Sequence, residues 1–372
     1  MYIYQHAQWP KFKWDVESIS QLSSKIRLKQ GQLLGRMEGL GFSLKAEATL
    51  EILTQDVLKS SEIEGEILDS KQVRSSVARR LGMEKGALPQ RDRNVEGVVE
   101  MMLDATQNFA KDLTRERLFG WHAALFPTAR SGMKKITVAS WRTDSEGPMQ
   151  VISGPIGRPK LHFEAPSAEK LDTEMKKFLS WFDSEIRMDP VVRAGLAHLW
   201  FVTIHPFDDG NGRIARAITD MALARSEENS QRFYSMSAQI QQERSVYYEI
   251  LERTQKGSLD ISPWLEWFLN CLSRAFDGAE AILDQVLQKA KFWEKAGFVS
   301  LNDRQKLILN RLLDGFEGKM TSSKWAKLAK CSQDTAHRDI DYLIKQGLLI
   351  QNPEGGRSTS YSIVMQFEKK VS

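Results

Sequence analysis

Apolar side chains recur every three or four positions along most of the chain, which is the spacing of a helix with one buried face. The pattern predicts helices over 16–37, 95–109, 113–125, 168–182 and 194–204. We therefore expect a mainly α-helical protein.

The pattern changes between Lys134 and Phe163, where glycine and proline separate short β-prone pieces. This change predicts a small β-hairpin inside the helical protein. We place the hairpin at Trp141-Arg142 and at Met149 to Gly154.

A further unit is predicted at the C-terminal end, from Asn302 to Ile363. The pattern indicates three helices followed by two strands: Leu307–Leu313, Ser322–Ala329, Ser332–Ile344, Gly347–Ile350 and Tyr361–Val364. This order resembles a winged helix-turn-helix, a fold that serves DNA binding in some proteins and protein contacts in others.

Charge bears on that choice. The chain carries a formal net charge of +4, and residues 301–372 hold 12 Lys/Arg against 8 Asp/Glu. We expect DNA contacts through Arg338, Lys345 and Arg357, although acidic residues also occur on the third helix. A role in protein contacts stays open as the alternative.

Two further features concern the compartment. No apolar run approaches the ~20 residues that a membrane span needs, and the first residues do not resemble a secretory leader. The only cysteines, Cys271 and Cys331, are far apart and do not indicate a disulfide framework. We expect a cytoplasmic protein without a membrane partner.

The densest chemistry lies between His205 and Arg216, in the run His-Pro-Phe-Asp-Asp-Gly-Asn-Gly-Arg-Ile-Ala-Arg. A proline after His205 predicts that the preceding helix ends there. Gly210 and Gly212 allow successive N–H groups to form an anion-binding nest at the start of the next helix. Arg213 and Arg216 lie three apart on one helix face, where both can reach one polyphosphate.

This run resembles the Fic motif, His-x-Phe-x-(Asp/Glu)-Gly-Asn-Gly-Arg-x-x-Arg, and agrees with it at every fixed position. The alternative is a polar turn between two helices in which a histidine is satisfied in the core. A chance match of this length is rare, so we favour the Fic interpretation.

The resemblance implies a protein adenylyltransferase with a helical core and a β-hairpin flap beside the site. Such an enzyme transfers AMP from ATP to a serine, threonine or tyrosine hydroxyl of a target protein, which can include the enzyme itself. The flap would hold the target segment as an added strand. A hairpin that only covers the core is the alternative.

The resemblance also implies residue roles. His205 would be the general base and Asp209 would hold Mg²⁺. The phosphates of ATP would be held by five residues: Gly210, Asn211 and Gly212 at the α-phosphate, Arg213 at the β-phosphate and Arg216 at the γ-phosphate. Phe207 would anchor the loop.

A second motif lies upstream, at the end of a helical pattern. Ser60-x-x-x-Glu64-Gly65 resembles the inhibitory motif that accompanies many Fic domains. The resemblance implies that Glu64 forms a bidentate pair with Arg216 and competes with ATP. An exposed glutamate before a C-capping glycine is the alternative.

Tyr247 and Tyr248 follow the motif in the chain, where a tyrosine of Fic proteins often lines the base pocket. Either ring could stack on adenine, and a packed aromatic pair explains them equally well.

We expect four parts: a helical N-terminal domain with the inhibitory helix at 1–94, the Fic catalytic core at 95–275, a linker helix at 276–299 and a winged helix-turn-helix at 300–372. Two other functions stay open. The chain could be a DNA-binding transcription regulator with a nucleotide-sensing core, or its site could remove AMP from modified protein. The sequence also leaves open whether the chain forms a homodimer.

Overall fold

The computed structural model describes residues 1–83, 92–154, 158–184, 187–316, 318–353 and 359–364. The chain divides into two compact units, Met1–Ile282 and Leu283–Ser372. The four-part division expected from the sequence stays a prediction. Across the described ranges, no helix has both the length and the apolar character that a membrane crossing requires.

Helices dominate both units, which confirms the mainly α fold class. Those that begin in the first unit are α1 Val16–Glu38, α2 Phe42–Ile63, α3 Ser70–Arg80, α4 Arg93–Gln107, α5 Arg115–Leu125, α6 Leu171–Phe182, α7 Pro190–Ile204, α8 Asn211–Glu227, α9 Met236–Gln242, α10 Arg244–Gln255 and α11 Ser262–Ala296. The division between the units falls within α11.

The helix that carries His205 at its C-terminal end, α7, is the centre of the first unit. Its start is marked by Asp189, which accepts a hydrogen bond from the Val191 N–H, and by Pro190 in the first turn. Nearly all its residues are buried, as expected for a helix that is apolar on every face. It packs along α8, so the loop between them is held by two core helices.

The first unit also contains two short antiparallel strand pairs: β1 Arg130–Ser131 with β2 Lys134–Lys135, and β3 Gln150–Ser153 with β4 Lys160–Glu164. The second pair confirms the hairpin predicted at Met149 to Gly154. The placement of Trp141-Arg142 in the hairpin is wrong, because neither residue lies in a strand and Arg142 is buried against the backbone of another segment.

The second unit contains α12 Asp303–Leu313, β5 Met320–Thr321, α13 Ser322–Ala329, α14 Gln333–Lys345, β6 Leu349–Gln351 and β7 Ser360–Ile363. The strands form an antiparallel sheet in the order β5-β7-β6 around a core that includes the fully buried Trp325. The predicted first helix begins earlier than expected, because Asn302 and Gln305 form a capping box.

DNA binding by the second unit stays a prediction. Asp339 on α14 is buried and accepts a hydrogen bond from Arg304 at 3.2 Å, so this acidic residue is not on the exposed face of the helix. Arg338 is exposed on the same helix. Arg357, the third basic residue that we named, lies outside the described residues.

His198 links three helices of the first unit. Thr219 of α8 donates its hydroxyl proton to the Ala215 carbonyl at 2.8 Å, so its oxygen accepts from His198 Nδ1 at 2.9 Å. His198 Nε2 then accepts from the Tyr247 hydroxyl of α10 at 3.0 Å. The imidazole is neutral in this arrangement, and burial lowers its pKa from 6.5 to about 3.

We expect the free energy of unfolding of the first unit to fall as pH is lowered from 7 to 5. Between the folded and unfolded pKa values the unfolded chain binds a proton that folded His198 does not, so acid favours unfolding. His198→Gln should reduce this slope by up to about 1.4 kcal/mol per pH unit. Denaturant unfolding at several pH values measures it, with the exposed His337→Gln as control. Equal slopes in the two variants would contradict the prediction.

Candidate active site

The predicted general base, His205, follows the last residue of α7. It adopts a left-handed conformation with φ 53° and ψ 58°, which ends the helix as its following proline predicts. Its Nδ1 lies 3.3 Å from the Val202 carbonyl oxygen. Because a carbonyl can only accept, the proton is on Nδ1 and Nε2 keeps a lone pair. Burial lowers the pKa of His205 to about 4, so the imidazole is in its basic, neutral form at pH 7.

Arg142 holds the backbone of His205 and of the residue that follows it. Its Nε donates to the His205 carbonyl at 2.8 Å, and its own N–H donates to the Pro206 carbonyl at 2.9 Å. Asp144 accepts from the same guanidinium at 2.8 Å, and the Arg142 side chain is buried. Arg142 is therefore a positioning residue, which sequence reasoning missed because the His205 carbonyl that it holds lies 63 residues away.

An aromatic stack fixes the next part of the loop. Phe207 is fully buried, as expected of an anchor, and its ring stacks on His122 with centroids 4.2 Å apart. His122 Nε2 donates to the Asp209 carbonyl at 3.2 Å, and Nδ1 accepts from the Ala139 N–H at 3.4 Å. Burial lowers the pKa of His122 to about 4, in agreement with a neutral ring.

Asn211 has a different use from the one that the sequence predicts. Its Oδ1 accepts from the Phe207 N–H at 3.0 Å and its Nδ2 donates to the Phe207 carbonyl at 2.8 Å. The buried amide thus closes the loop on itself with both of its polar atoms, and contact between Asn211 and an α-phosphate stays a prediction. Only the backbone N–H of Asn211, in the first turn of α8, remains suited to that contact.

The acidic residues of the loop are also tied to the backbone or to a neighbour. Asp209 accepts from the Ser131 hydroxyl and, at 2.6 Å, from the Gly210 N–H. Asp208 accepts from the Thr137 N–H at 2.8 Å. Asp209 lines the cavity beside the start of α8, and each carboxylate oxygen keeps a further lone pair. A single carboxylate beside phosphate oxygens fits the ligand set of Mg²⁺.

The two glycines of the motif leave space for different neighbours. Gly210 has φ 79°, and a Cβ there would come within 2.9 Å of the Phe126 ring. At Gly212 a Cβ would lie 2.1 Å from Glu64 Oε1. The carboxylate of Glu64 therefore lies directly over the first turn of α8, where free N–H groups favour an anion.

Arg216 is buried and meets the segment that carries the second motif. Its Nε donates to Ser60 Oγ at 2.9 Å, while Nη2 donates to the Ser60 carbonyl at 2.7 Å and to Glu64 Oε1 at 2.8 Å. Within the described part of the chain, Nη1 has no hydrogen-bond partner. The contact with Glu64 thus uses one carboxylate oxygen, whereas we expected a bidentate pair. Burial alone would lower the pKa of Arg216, and the Glu64 carboxylate reverses this and raises it.

Arg213 has a carboxylate partner that sequence reasoning missed. Its Nη1 donates to Glu66 Oε2 at 2.6 Å, and its guanidinium lies over the Phe126 ring, 5.0 Å from the centroid. Its Nε has no hydrogen-bond partner among the residues described. The sequence signal that could have indicated this pair is the acidic residue Glu66, which directly follows Gly65.

A helix-end motif places both glutamates. Glu64 caps α2, and Gly65 takes φ 84°, which glycine adopts without strain. The Gly65 N–H donates to the Glu62 carbonyl and the Glu66 N–H donates to the Ser61 carbonyl, each at 3.0 Å. This is the Schellman pattern, which orients the residues on each side of the glycine.

Part of this set lines one cavity of about 860 Å³, whereas Arg213, Arg216 and Glu66 are not among the lining residues. His205, Asp209, Gly212 and Glu64 lie on its wall, together with most of β3.

Tyr247 and Tyr248 also line this cavity, with ring centroids 5.1 Å apart. Tyr247 is buried and bonded to His198, whereas Tyr248 is 38% exposed and donates to the Ile63 carbonyl at 3.3 Å. Burial raises the pKa of both hydroxyls. Tyr248 is the more accessible of the two, and stacking on adenine stays a prediction for either.

Family comparisons match two parts of the chain. The Fic/DOC family matches residues 112–223, and a domain of unknown function (DUF4172) matches residues 2–83. A Protein adenylyltransferase Fic from Nematostella vectensis is 36% identical over 115 residues, which cover 30% of this chain and 25% of that protein. The protein of the same name from Drosophila ananassae is 35% identical over 114 residues, 30% of this chain and 21% of its own. The match thus spans about a quarter of these relatives.

Solved structures share the fold. A Fic family protein from Desulfovibrio desulfuricans G20 has a TM-score of 0.53 at 16% identity, covering 92% of this chain and 96% of that one. A Fic domain containing signaling protein from Bacteroides thetaiotaomicron VPI-5482 has a TM-score of 0.51 at 21% identity, covering 72% and 97%. The motif at 205–216 lies inside the matched family region, and the chain therefore contains a domain of the Fic/DOC family at residues 112–223.

Proposed function

We propose that this protein transfers AMP from ATP to a serine, threonine or tyrosine hydroxyl of a target protein. The observation that carries the proposal is the presence, on one cavity wall, of a neutral His205 and the N-terminus of α8. The first of these can accept a proton, and the second can hold a polyphosphate. The relatives named Protein adenylyltransferase Fic support the same reaction.

In the proposed step, the target hydroxyl oxygen attacks the α-phosphorus of ATP. Its proton passes to His205 Nε2, the bond from the α-phosphorus to the bridging oxygen breaks, and pyrophosphate leaves. The N–H groups of Asn211 and Gly212 would hold the α-phosphate, while the Gly210 N–H donates to Asp209. Arg213 and Arg216 would hold the β- and γ-phosphates.

Mg²⁺ would be held by Asp209 together with phosphate oxygens, and it would offset negative charge on the phosphates. Hydrogen bonds from the Ser131 hydroxyl and the Gly210 N–H fix the position of the Asp209 carboxylate.

The strand β3 is suited to hold the target. It belongs to a two-stranded sheet and pairs only with β4 among the described strands, so its other edge has unpaired backbone groups. Most of its residues line the cavity, and Ile152 is 58% exposed. An extended target segment could add to this edge and bring its hydroxyl to His205.

We further propose that Glu64 inhibits this activity. Its carboxylate takes the guanidinium of Arg216 that would hold the γ-phosphate. ATP can then enter only in a displaced orientation, and a displacement of ~1 Å can cost ~10²-fold in rate.

His205→Ala should remove AMP transfer while ATP binding persists, because the imidazole accepts a proton but does not hold the polyphosphate. Loss of a general base lowers the rate by ~10²–10⁴-fold. Incubation with α-labelled ATP and a cell lysate measures transfer, and calorimetry measures binding. Labelling by the variant at the parent rate would refute the assignment of His205 as the base.

Glu64→Gly should raise AMP transfer by about an order of magnitude or more, including transfer to the protein itself, because Arg216 becomes free for the γ-phosphate. The same labelling assay measures the increase. Adding Arg216→Ala to this variant should lower the rate again. Glu62→Gln is the matched control, since Glu62 lies on the same helix turn and pairs with Lys59. Equal labelling by the parent and Glu64→Gly at saturating ATP would rule out inhibition by Glu64.

A further inference from the structure

The contact between Glu66 and Arg213 is the second ion pair between the segment that ends α2 and the start of α8. The two pairs are alike in kind, since each joins a glutamate beside Gly65 to a buried arginine of the motif. The Arg213 and Arg216 side chains are 3% and 2% exposed. A guanidinium so deeply buried needs an anion close by.

The partners of these arginines are more accessible than the arginines themselves. The Glu66 side chain is 45% exposed and that of Glu64 is 29% exposed. A half-exposed carboxylate loses little when it returns to water, whereas the buried arginine must find another anion. A phosphate oxygen can therefore replace the carboxylate as the partner of Arg213 and of Arg216.

We propose that Glu66 is a second inhibitory carboxylate, which occupies Arg213 in place of the β-phosphate while Glu64 occupies Arg216 in place of the γ-phosphate. This inference rests on the proposed function, which assigns these phosphates to these arginines. Glu66 and the β-phosphate would compete for Arg213, whereas the N–H groups at the start of α8 that would hold the α-phosphate do not contact Glu66 in this proposal. Glu66 would thus discriminate between nucleotides by their number of phosphates.

One turn of backbone controls both carboxylates. Gly65 separates them, and its positive φ lets the chain reverse so that both side chains face α8. The Glu66 N–H remains bonded to the Ser61 carbonyl within the same turn. Because the two glutamates flank this turn, a triphosphate that reaches both arginines would release the two pairs together.

The test is a series of nucleotide affinities. AMP, ADP and ATP are titrated without Mg²⁺ into the full chain by isothermal titration calorimetry, for the parent, Glu66→Gln, Glu64→Gln and the double variant. Glutamine fills the same space without the charge, and thermal melting verifies that each variant is folded. Glu62→Gln removes the same charge from the same segment and is the control.

We expect Glu66→Gln to tighten ADP and ATP binding by roughly three- to tenfold and to leave AMP binding unchanged. Glu64→Gln should tighten ATP binding. The double variant should bind ATP most tightly. ADP affinity in Glu66→Gln equal to that of the parent or of Glu62→Gln would overturn the inference, as would an equal gain for AMP.

The labelling assay separates this inference from the proposed function. If Glu64→Gly transfers AMP but Glu66→Gln binds ADP like the parent, the role of Glu66 fails and the enzyme assignment stands. If Glu66→Gln gains ADP affinity but no variant transfers AMP, the pairing of Glu66 with the β-phosphate site stands and the enzyme assignment fails.

Discussion

Arg216 carries a positive charge that is almost completely removed from water, and the end of α2 supplies the groups that satisfy it. The anion comes from Glu64, 152 residues earlier in the chain, and the carbonyl of Ser60 accepts a second hydrogen bond. Such a pair gives little net stability, since desolvation offsets most of the attraction. Its consequence is positional, because it brings the end of α2 to the start of α8. Any ligand that offers Arg216 a better anion acts on the same contact.

The loop before α8 is constrained from a second direction. Arg142 donates to the His205 carbonyl, and His122 donates to the Asp209 carbonyl. Asn211, at the start of α8, accepts from the Phe207 N–H. Each of these contacts is made by a buried side chain to a backbone group. The left-handed conformation of His205 is therefore over-determined by its surroundings, which is how a strained residue persists in a folded protein. A loop held in this way keeps the His205 imidazole and the N–H groups at the start of α8 in fixed positions.

The periodic segments were predicted well because helices depend on residues three and four apart. The end of α7 at His205 and the turn at Gly65 follow from single residues, a proline and a glycine, that restrict or permit particular backbone angles. The hairpin was predicted in part. Its strand at 150–153 has local β-propensity, whereas Arg142 is held by partners at 205 and 206 that no local pattern indicates.

By itself the sequence determined the helical class, the helix-loop-helix around His205 and the presence of two arginines on one face of α8. These follow from steric rules that act within a few residues. Only the tertiary structure decided which carboxylate meets which arginine, that Asn211 closes its own loop, and that Arg142 supports the backbone at His205. Such contacts depend on how segments far apart in the chain approach each other during packing. Residue spacing shows which groups lie on one face of a helix. It does not show which carboxylate a buried arginine will contact, because that depends on which anion the folded chain brings close to it.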